Sequence, residues 1–139
     1  MRIPEGQTPE AVAELLQDVI KDKVVCDIGC GGGSFMVALA KYAKTVIGIE
    51  EEQDWAEHAA KRGFDIYHQN TYWHELPKAD VYYSWTKDSM GVYLKAKYEG
   101  TKGTFVFGMS ERPSTKKFLE GLDAEVREVD GFKIYIKQL

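Results

Sequence analysis

The chain has 139 residues, of which 44% are hydrophobic and 29% charged, with a formal net charge of −4. That length and composition fit one globular domain with a core of its own. The acidic balance lacks the basic footprint of a nucleic-acid binder, and no apolar run approaches the roughly 18 to 20 residues of a membrane span.

The opening MRIPEGQTPE has no apolar core of the kind a secretory signal needs. Cys26 and Cys30 are the only cysteines, which is no disulfide framework. A reducing, cytoplasmic setting is therefore expected. No repeat, low-complexity tract or linker interrupts the sequence, so 1–139 reads as a single domain.

Residues 8–21 read as a helix, with Val12, Leu15, Leu16, Val19 and Ile20 on one apolar face. Thr8 is placed to cap it, Pro9 suits its first turn and Glu10 complements its dipole. A short buried strand over 23–28 follows, then a helix over 34–42, a second strand over 45–49 and a helix over 53–61 that stops at Gly63. A third strand is expected over 64–68, a loop through NTYWHELPK, and a fourth strand over ADVYYSW. Helices over 88–98 and 113–120 flank a fifth strand over 103–108. The end changes character: AEVREV and FKIYIKQL alternate around Asp130-Gly131, a strong hairpin signal. Alternating strands and helices imply an α/β, Rossmann-like, mostly parallel sheet with helices on both faces. The hairpin makes its C-terminal end antiparallel.

The first strand runs into Asp27-Ile28-Gly29-Cys30-Gly31-Gly32-Gly33. Glycine offers no side chain to pack, but it accepts positive φ and lets a ligand approach the backbone closely. In open α/β sheets ligands bind beyond the carboxyl ends of the strands, near the point where strand order reverses. The spacing is not the dinucleotide fingerprint, because Ser34 stands where its last glycine belongs. It is not a P-loop either, since no Gly-Lys-Ser/Thr follows. A glycine-rich turn that merely packs a helix close to a strand is the plain alternative.

Glu50 ends the second strand, where a carboxylate can accept hydrogen bonds from both hydroxyls of a ribose. Otherwise it belongs, with Glu51 and Glu52, to a solvated acidic helix start. Asn70 follows the third strand. Its amide can pair with an adenine edge or make a turn. Tyr72 and Trp73 can stack on a base or cover the core.

These residues resemble a known family. VVCDIGCGGG followed by VIGIE is similar to the class I S-adenosylmethionine-dependent methyltransferases. Their first motif is an acid followed by alternate glycines, their second strand ends in an acid, and their fold closes with an antiparallel strand pair. The resemblance implies S-adenosyl-L-methionine as cofactor and a methyl acceptor as partner. It implies that Gly29, Gly31 and Gly33 line the cofactor and that Asp27 orients the loop and reaches the amino-acid part. Glu50 would bind the ribose and Asn70 would sit by the adenine, where the family more often has aspartate. Tyr72 joins the cofactor-binding set. TPEAVAELL and ADVYYSW resemble compact methyltransferases that include protein-lysine enzymes of archaea and mitochondria, which makes Gln7 and Thr8 candidates for the methionine end.

Methyl transfer needs alignment and electrostatics more than an enzyme nucleophile. Nothing basic adjoins Cys30 in sequence, Cys26 reads as core, and no residues show metal-ligand spacing. The fourth strand ends at Ser84-Trp85-Thr86 without the Asn/Asp-Pro-Pro-Tyr/Phe of base- and glutamine-directed enzymes. Trp85 and Asp88 are the catalytic candidates, Trp85 as a π face and Asp88, with His68 and His74, as a base. His58 and Tyr83 read as surface and core. With nearly every residue used by the catalytic core, the cleft is expected to be open and acidic unless the N-terminal helix or another subunit covers it, which would suit a protein lysine or another amine. Nucleic acid is disfavoured as acceptor, and the oligomeric state is not legible. Two other readings stand beside methyl transfer: a cofactor-binding module without catalysis, and a small NAD-binding protein.

Overall fold

A computed structural model describes residues 8–85, 88–108 and 113–139. Gln7 and Thr86 lie outside the described residues. One mixed sheet of seven strands organises the chain, in the order β3-β2-β1-β4-β5-β7-β6. Strands β1 (Val24–Ile28), β2 (Thr45–Glu50), β3 (Asp65–His68), β4 (Val81–Ser84) and β5 (Thr104–Gly108) are parallel. Strand β7 (Phe132–Gln138) runs antiparallel to both β5 and β6 (Glu125–Val129). The order reverses at β1, between β2 and β4, which puts the switch point at the glycine loop.

The central strands are runs of β-branched and aromatic residues buried on both faces, as a covered parallel sheet requires. Alternate side chains divide the core in two. Helices α1 (Glu10–Leu15), α2 (Gln17–Ile20), α3 (Ser34–Leu39) and α4 (Gln53–Lys61) pack on one face, around Val12, Leu16, Phe35, Met36 and Val106. Helices α5 (Ser89–Glu99) and α6 (Pro113–Glu120) pack on the other, around Tyr82, Val92, Phe105, Phe107 and Leu119. The hairpin closes as its turn residues dictate. Asp130 and Gly131 both take positive φ, 50° and 78°, the geometry that matches strand twist in a two-residue turn.

The helix expected over 8–21 is two helices. Leu16 caps α1 with φ −97° and ψ 7°, outside helical values, and α2 restarts at Gln17. Thr8 does not cap α1. Pro9 holds the N-cap position with no side-chain cap bond, and the Thr8 hydroxyl lies 2.7 Å from the Tyr83 hydroxyl instead. Contacts far apart in sequence fix this segment. The Arg127 guanidinium on β6 grips both carboxylate oxygens of Asp18, at 2.6 and 2.9 Å, and donates to the Leu15 carbonyl at 3.0 Å. Lys41 pairs with Glu10 at the other end. Helix α3 stops at Leu39 rather than at residue 42, and β4 begins at Val81, after Pro77 and the turn closed by Tyr82.

Candidate cofactor site

The loop after β1 is held by its neighbour strand. The Gly29 and Cys30 amides both donate to the Ile49 carbonyl, at 2.8 and 3.0 Å. Gly29, Gly31 and Gly33 take φ of 74°, 56° and 88°. At Gly31 this left-handed backbone combines with open space, because a Cβ there meets no heavy atom within 4 Å. A substituent would enter open space rather than the protein, and L-residues resist that φ. The other glycines of the loop are spent on packing. A Cβ on Gly33 would sit 3.3 Å from Ala59 of α4, and one on Gly32 would collide with His58 and Trp55. The glycines of the run thus differ in surroundings: Gly29 lines the cleft described below, Gly31 faces open space, and Gly32 and Gly33 lie against α4.

Glu50 accepts two backbone amides, Gly31 at 2.8 Å on one oxygen and Glu52 at 2.9 Å on the other. A carboxylate has about four lone-pair sites, so each oxygen keeps one for a further donor. Those free lone pairs belong to a residue that lines a cleft of about 240 Å³ with Ile28, Gly29, Asn70, Tyr72 and Asp88. The cleft lies at the carboxyl ends of β1 and β2, on the face of α5. Its chemistry is a pair of acceptors suited to a diol, above apolar walls from Ile28, Ile49 and Val92.

Asn70 lines this cleft but is committed on both sides. Its Oδ1 accepts from the Tyr72 amide at 2.8 Å, an Asx turn, and its Nδ2 donates to Glu51 at 2.9 Å. The turn presents Tyr72, whose hydroxyl donates to the Asp88 carbonyl at 3.4 Å and ties the β3–β4 connection to α5. Burial pushes the Tyr72 phenol up to about 12. Asp88 caps α5, accepting the Gly91 amide at 3.1 Å, and this bond engages one oxygen of the carboxylate that sequence reading offered as a base. Glu51, Gln69 and Thr71 also line the cleft. Of these only Glu51 had a sequence signal, as part of the acidic run.

Asp27 lies on the other side of the loop. It is 4% exposed and in register with Tyr83, on the face covered by α1 and α3. Burial, and then the negative charge of Glu50, push its carboxyl up to about 8. Next to it the Phe35 and Tyr83 rings meet at a tilt of 46°, with centroids 4.8 Å apart, and the Tyr83 hydroxyl meets Thr8. Thr8 therefore stands at a separate depression of about 260 Å³ with Ser34, Phe35 and Lys41, and not in the cleft of Glu50. Both cysteines are buried, and burial pushes their thiols above the ordinary cysteine value.

Trp85 is half-buried and packs edge-on against Phe132 at 5.3 Å, while Gly108 leaves the room that its ring occupies. His68 and His74 bond the carbonyls of Glu51 and Asn70, at 3.0 and 3.1 Å, outside the residues lining the cleft. His58 packs over Gly32. No helix among the described residues is long and apolar enough to cross a membrane.

No family model matches the chain. An uncharacterized protein of Haemophilus influenzae is 35% identical over 79 residues, which is 49% of this chain and 30% of that protein. Solved structures resemble it over nearly its whole length. An RNA methyltransferase from Salinibacter ruber, in complex with S-adenosyl-L-homocysteine, superposes with a TM-score of 0.74 at 17% identity, covering 98% of this chain and 93% of that one. The C-terminal domain of precorrin-6Y C5,15-methyltransferase from Rhodobacter capsulatus gives 0.73 at 16% identity, covering 97% and 92%. A SAM-dependent O-methyltransferase from Thermotoga maritima gives 0.70 at 18% identity, covering 100% and 67%. With the sheet order, the closing antiparallel pair and the glycine loop at the switch point, these likenesses establish the fold: this chain has the architecture of the class I S-adenosylmethionine-dependent methyltransferases.

Proposed function

We propose that the protein is an S-adenosylmethionine-dependent methyltransferase whose cofactor sits at the carboxyl ends of β1 and β2. The observation that carries this reading is the pairing of Gly31 with Glu50. An open left-handed glycine donates to a carboxylate that retains acceptors toward a 240 Å³ cleft. In this reading Glu50 takes the ribose hydroxyls. Gly29 and the apolar walls flank the nucleoside, and the Asn70–Tyr72 turn borders the base. Asp27, behind the loop, takes the cationic end of the cofactor in this reading, with Thr8 on the segment beside it. The bound cofactor supplies the reactive methyl group. The chain's own residues bind it, orient it and hold its charge.

The same fold serves RNA, precorrin and O-methyl acceptors in the proteins named above, so the acceptor follows from the site and not from the architecture. Glu50, Glu51 and Asp88 leave acidic side chains at the cleft, which favours a cationic acceptor such as a protein lysine or another amine. Incubation of a cell lysate with methyl-labelled cofactor and this protein, then fractionation, tests it. Label on protein is expected, and label confined to metabolites or nucleic acid would refute the lysine reading.

A second reading, a cofactor-binding module without catalysis, is favoured by one observation. Trp85, at the end of β4 where an acceptor approaches, is spent on packing against Phe132. It predicts cofactor binding with no labelled acceptor in any fraction.

A further inference from the structure

The amino ends of the central strands carry the opposite charge from their carboxyl ends. Lys23 leads into β1, Lys78 into β4 and Lys102 into β5, three strands that are neighbours in the sheet. The backbone holds these lead-ins side by side. The Asp80 amide donates to the Val24 carbonyl and the Thr104 amide to the Asp80 carbonyl, both at 2.9 Å. Adjacent strands lie about 4.8 Å apart, so the three lysines enter the sheet along one short arc. Together they line a depression of about 660 Å³, with Val19, Leu76 and Val81 as apolar walls. Lys23 and Gly29 bracket β1, roughly 20 Å apart at the rise of an extended chain, so this depression is separate from the cofactor cleft.

Three like charges around one depression favour an anion between them. Among the described residues none of the three lysines makes an ion pair or a side-chain hydrogen bond. Asp80 is the one carboxylate among the described lining residues, and its Oδ2 accepts the Val24 amide at 2.9 Å. Lys44, which leads into β2, is the next in the arc: its amide donates to the Lys23 carbonyl at 2.9 Å. The cofactor cleft has the reverse charge, since Glu50, Glu51 and Asp88 line it with no lysine or arginine among the described residues. A depression lined by one sign of charge concentrates ions of the other sign. Lysine is a compact point charge that suits phosphate oxygens. Small-molecule sites run from about 300 to 1,000 Å³, and this volume falls in their middle. The rest of the chain sets the size of the anion. With a net charge of −4 the protein repels a long polyanion outside this arc.

We infer that this depression is a second binding site, which takes a phosphate-bearing small molecule of nucleotide size between the ammonium groups of Lys23, Lys78 and Lys102. The lysines hold the phosphates and the apolar walls take the organic part. The inference does not rest on the methyl-transfer reading, because the depression and the cofactor cleft share no lining residue.

Calorimetric titration at low ionic strength, with inorganic tripolyphosphate and with GTP as probes, tests this. Neither probe contains adenosine, the part of the cofactor assigned to the other cleft. Saturable one-to-one binding of both is expected. Lys23→Gln with Lys78→Gln and Lys102→Gln should weaken both by about tenfold to 100-fold, the sum of three solvent-exposed ion pairs. All three side chains are exposed, so circular dichroism should not change. Lys61→Gln with Lys116→Gln and Lys117→Gln, exposed on α4 and α6, removes the same charge elsewhere and should weaken binding less than about threefold. A second measurement needs no variant. With tripolyphosphate, the amide NMR signals of residues 23–25, 79–82 and 101–104 of the wild type should shift, and those of residues 29–33 should not. Failure of either probe to bind, a first triple variant that binds as wild type, equal weakening in the two triple variants, or shifts centred on the glycine loop would each overturn the proposal. So would a single-stranded RNA that binds through the same lysines more than about tenfold tighter than GTP, because the phosphates recognised would then belong to a polymer.

Discussion

Two acids end neighbouring strands of one sheet, and their surroundings make them opposites. Glu50 closes β2 half-buried, with a backbone amide on each oxygen, and faces the cleft. Asp27 near the end of β1 is buried on the far side of the glycine loop, and its carboxyl is pushed up to about 8 by burial and by Glu50 itself. The contrast teaches that charge at this site is divided by solvation. One carboxylate accepts two backbone amides and keeps acceptors for further donors. The other holds its proton until something cationic makes the charge worth bearing.

The sharpest way to break that division is Glu50→Ala. It removes the cleft acceptors and leaves the Gly31 and Glu52 amides without partners. Hydrogen bonds to a charged group contribute about 1.5 to 3 kcal/mol each, so cofactor affinity should fall about 100-fold. Titration calorimetry with S-adenosylhomocysteine reads it, and affinity within threefold of wild type would remove Glu50 from the site.

Gly31→Ala comes next. No protein atom opposes the new methyl, so the folding cost is the left-handed strain alone, about 1 to 2 kcal/mol. The methyl enters the open space beside Gly31, which the proposed cofactor would share, and affinity should drop about tenfold. Denaturant unfolding run beside calorimetry separates the two effects. Stability lost with full affinity kept would mean that the open space is not the ligand's.

Asp27→Asn sharpens the other half. A folded carboxyl near 8 against 3.8 unfolded binds the proton more tightly in the native state. Wild-type stability should therefore fall as pH rises from about 4 to about 8, by up to about 1.4 kcal/mol per pH unit. The asparagine variant should show a flatter profile across that window. In the wild type, a cation bound beside Asp27 favours its ionised form, so S-adenosylmethionine should bind more tightly at pH 8 than at pH 6. Thermal melts across that range, in which both proteins keep the same slope, would show that Asp27 does not titrate there.

The smallest effect belongs to Asn70→Ala. It loses an Asx turn and a bond to Glu51, and cofactor binding should weaken only about threefold to tenfold. A loss as large as that of Glu50→Ala would move the weight of recognition to the β3–β4 connection.

The glycine loop, the acid that ends β2 and the Asp130-Gly131 hairpin were legible because each is a local pattern with a local cause. What escaped the sequence joins distant positions. The hydroxyl of Thr8 looks like a helix cap until Tyr83, buried 75 positions away, takes it. The Arg127 clamp on Asp18 spans 109 positions. Trp85 reads equally as acceptor platform or packing until Phe132 of the hairpin is seen against it. Gly33 resembles Gly31 in sequence, yet only the approach of α4 tells a packing glycine from an open one.

Calorimetric titration of the wild-type protein with S-adenosylhomocysteine, and of NAD in parallel, tests the cofactor seat most directly. One-to-one binding of S-adenosylhomocysteine at micromolar affinity, with no heat from NAD, is the expected result. Binding of NAD instead, or silence from both at millimolar concentration, would contradict the account.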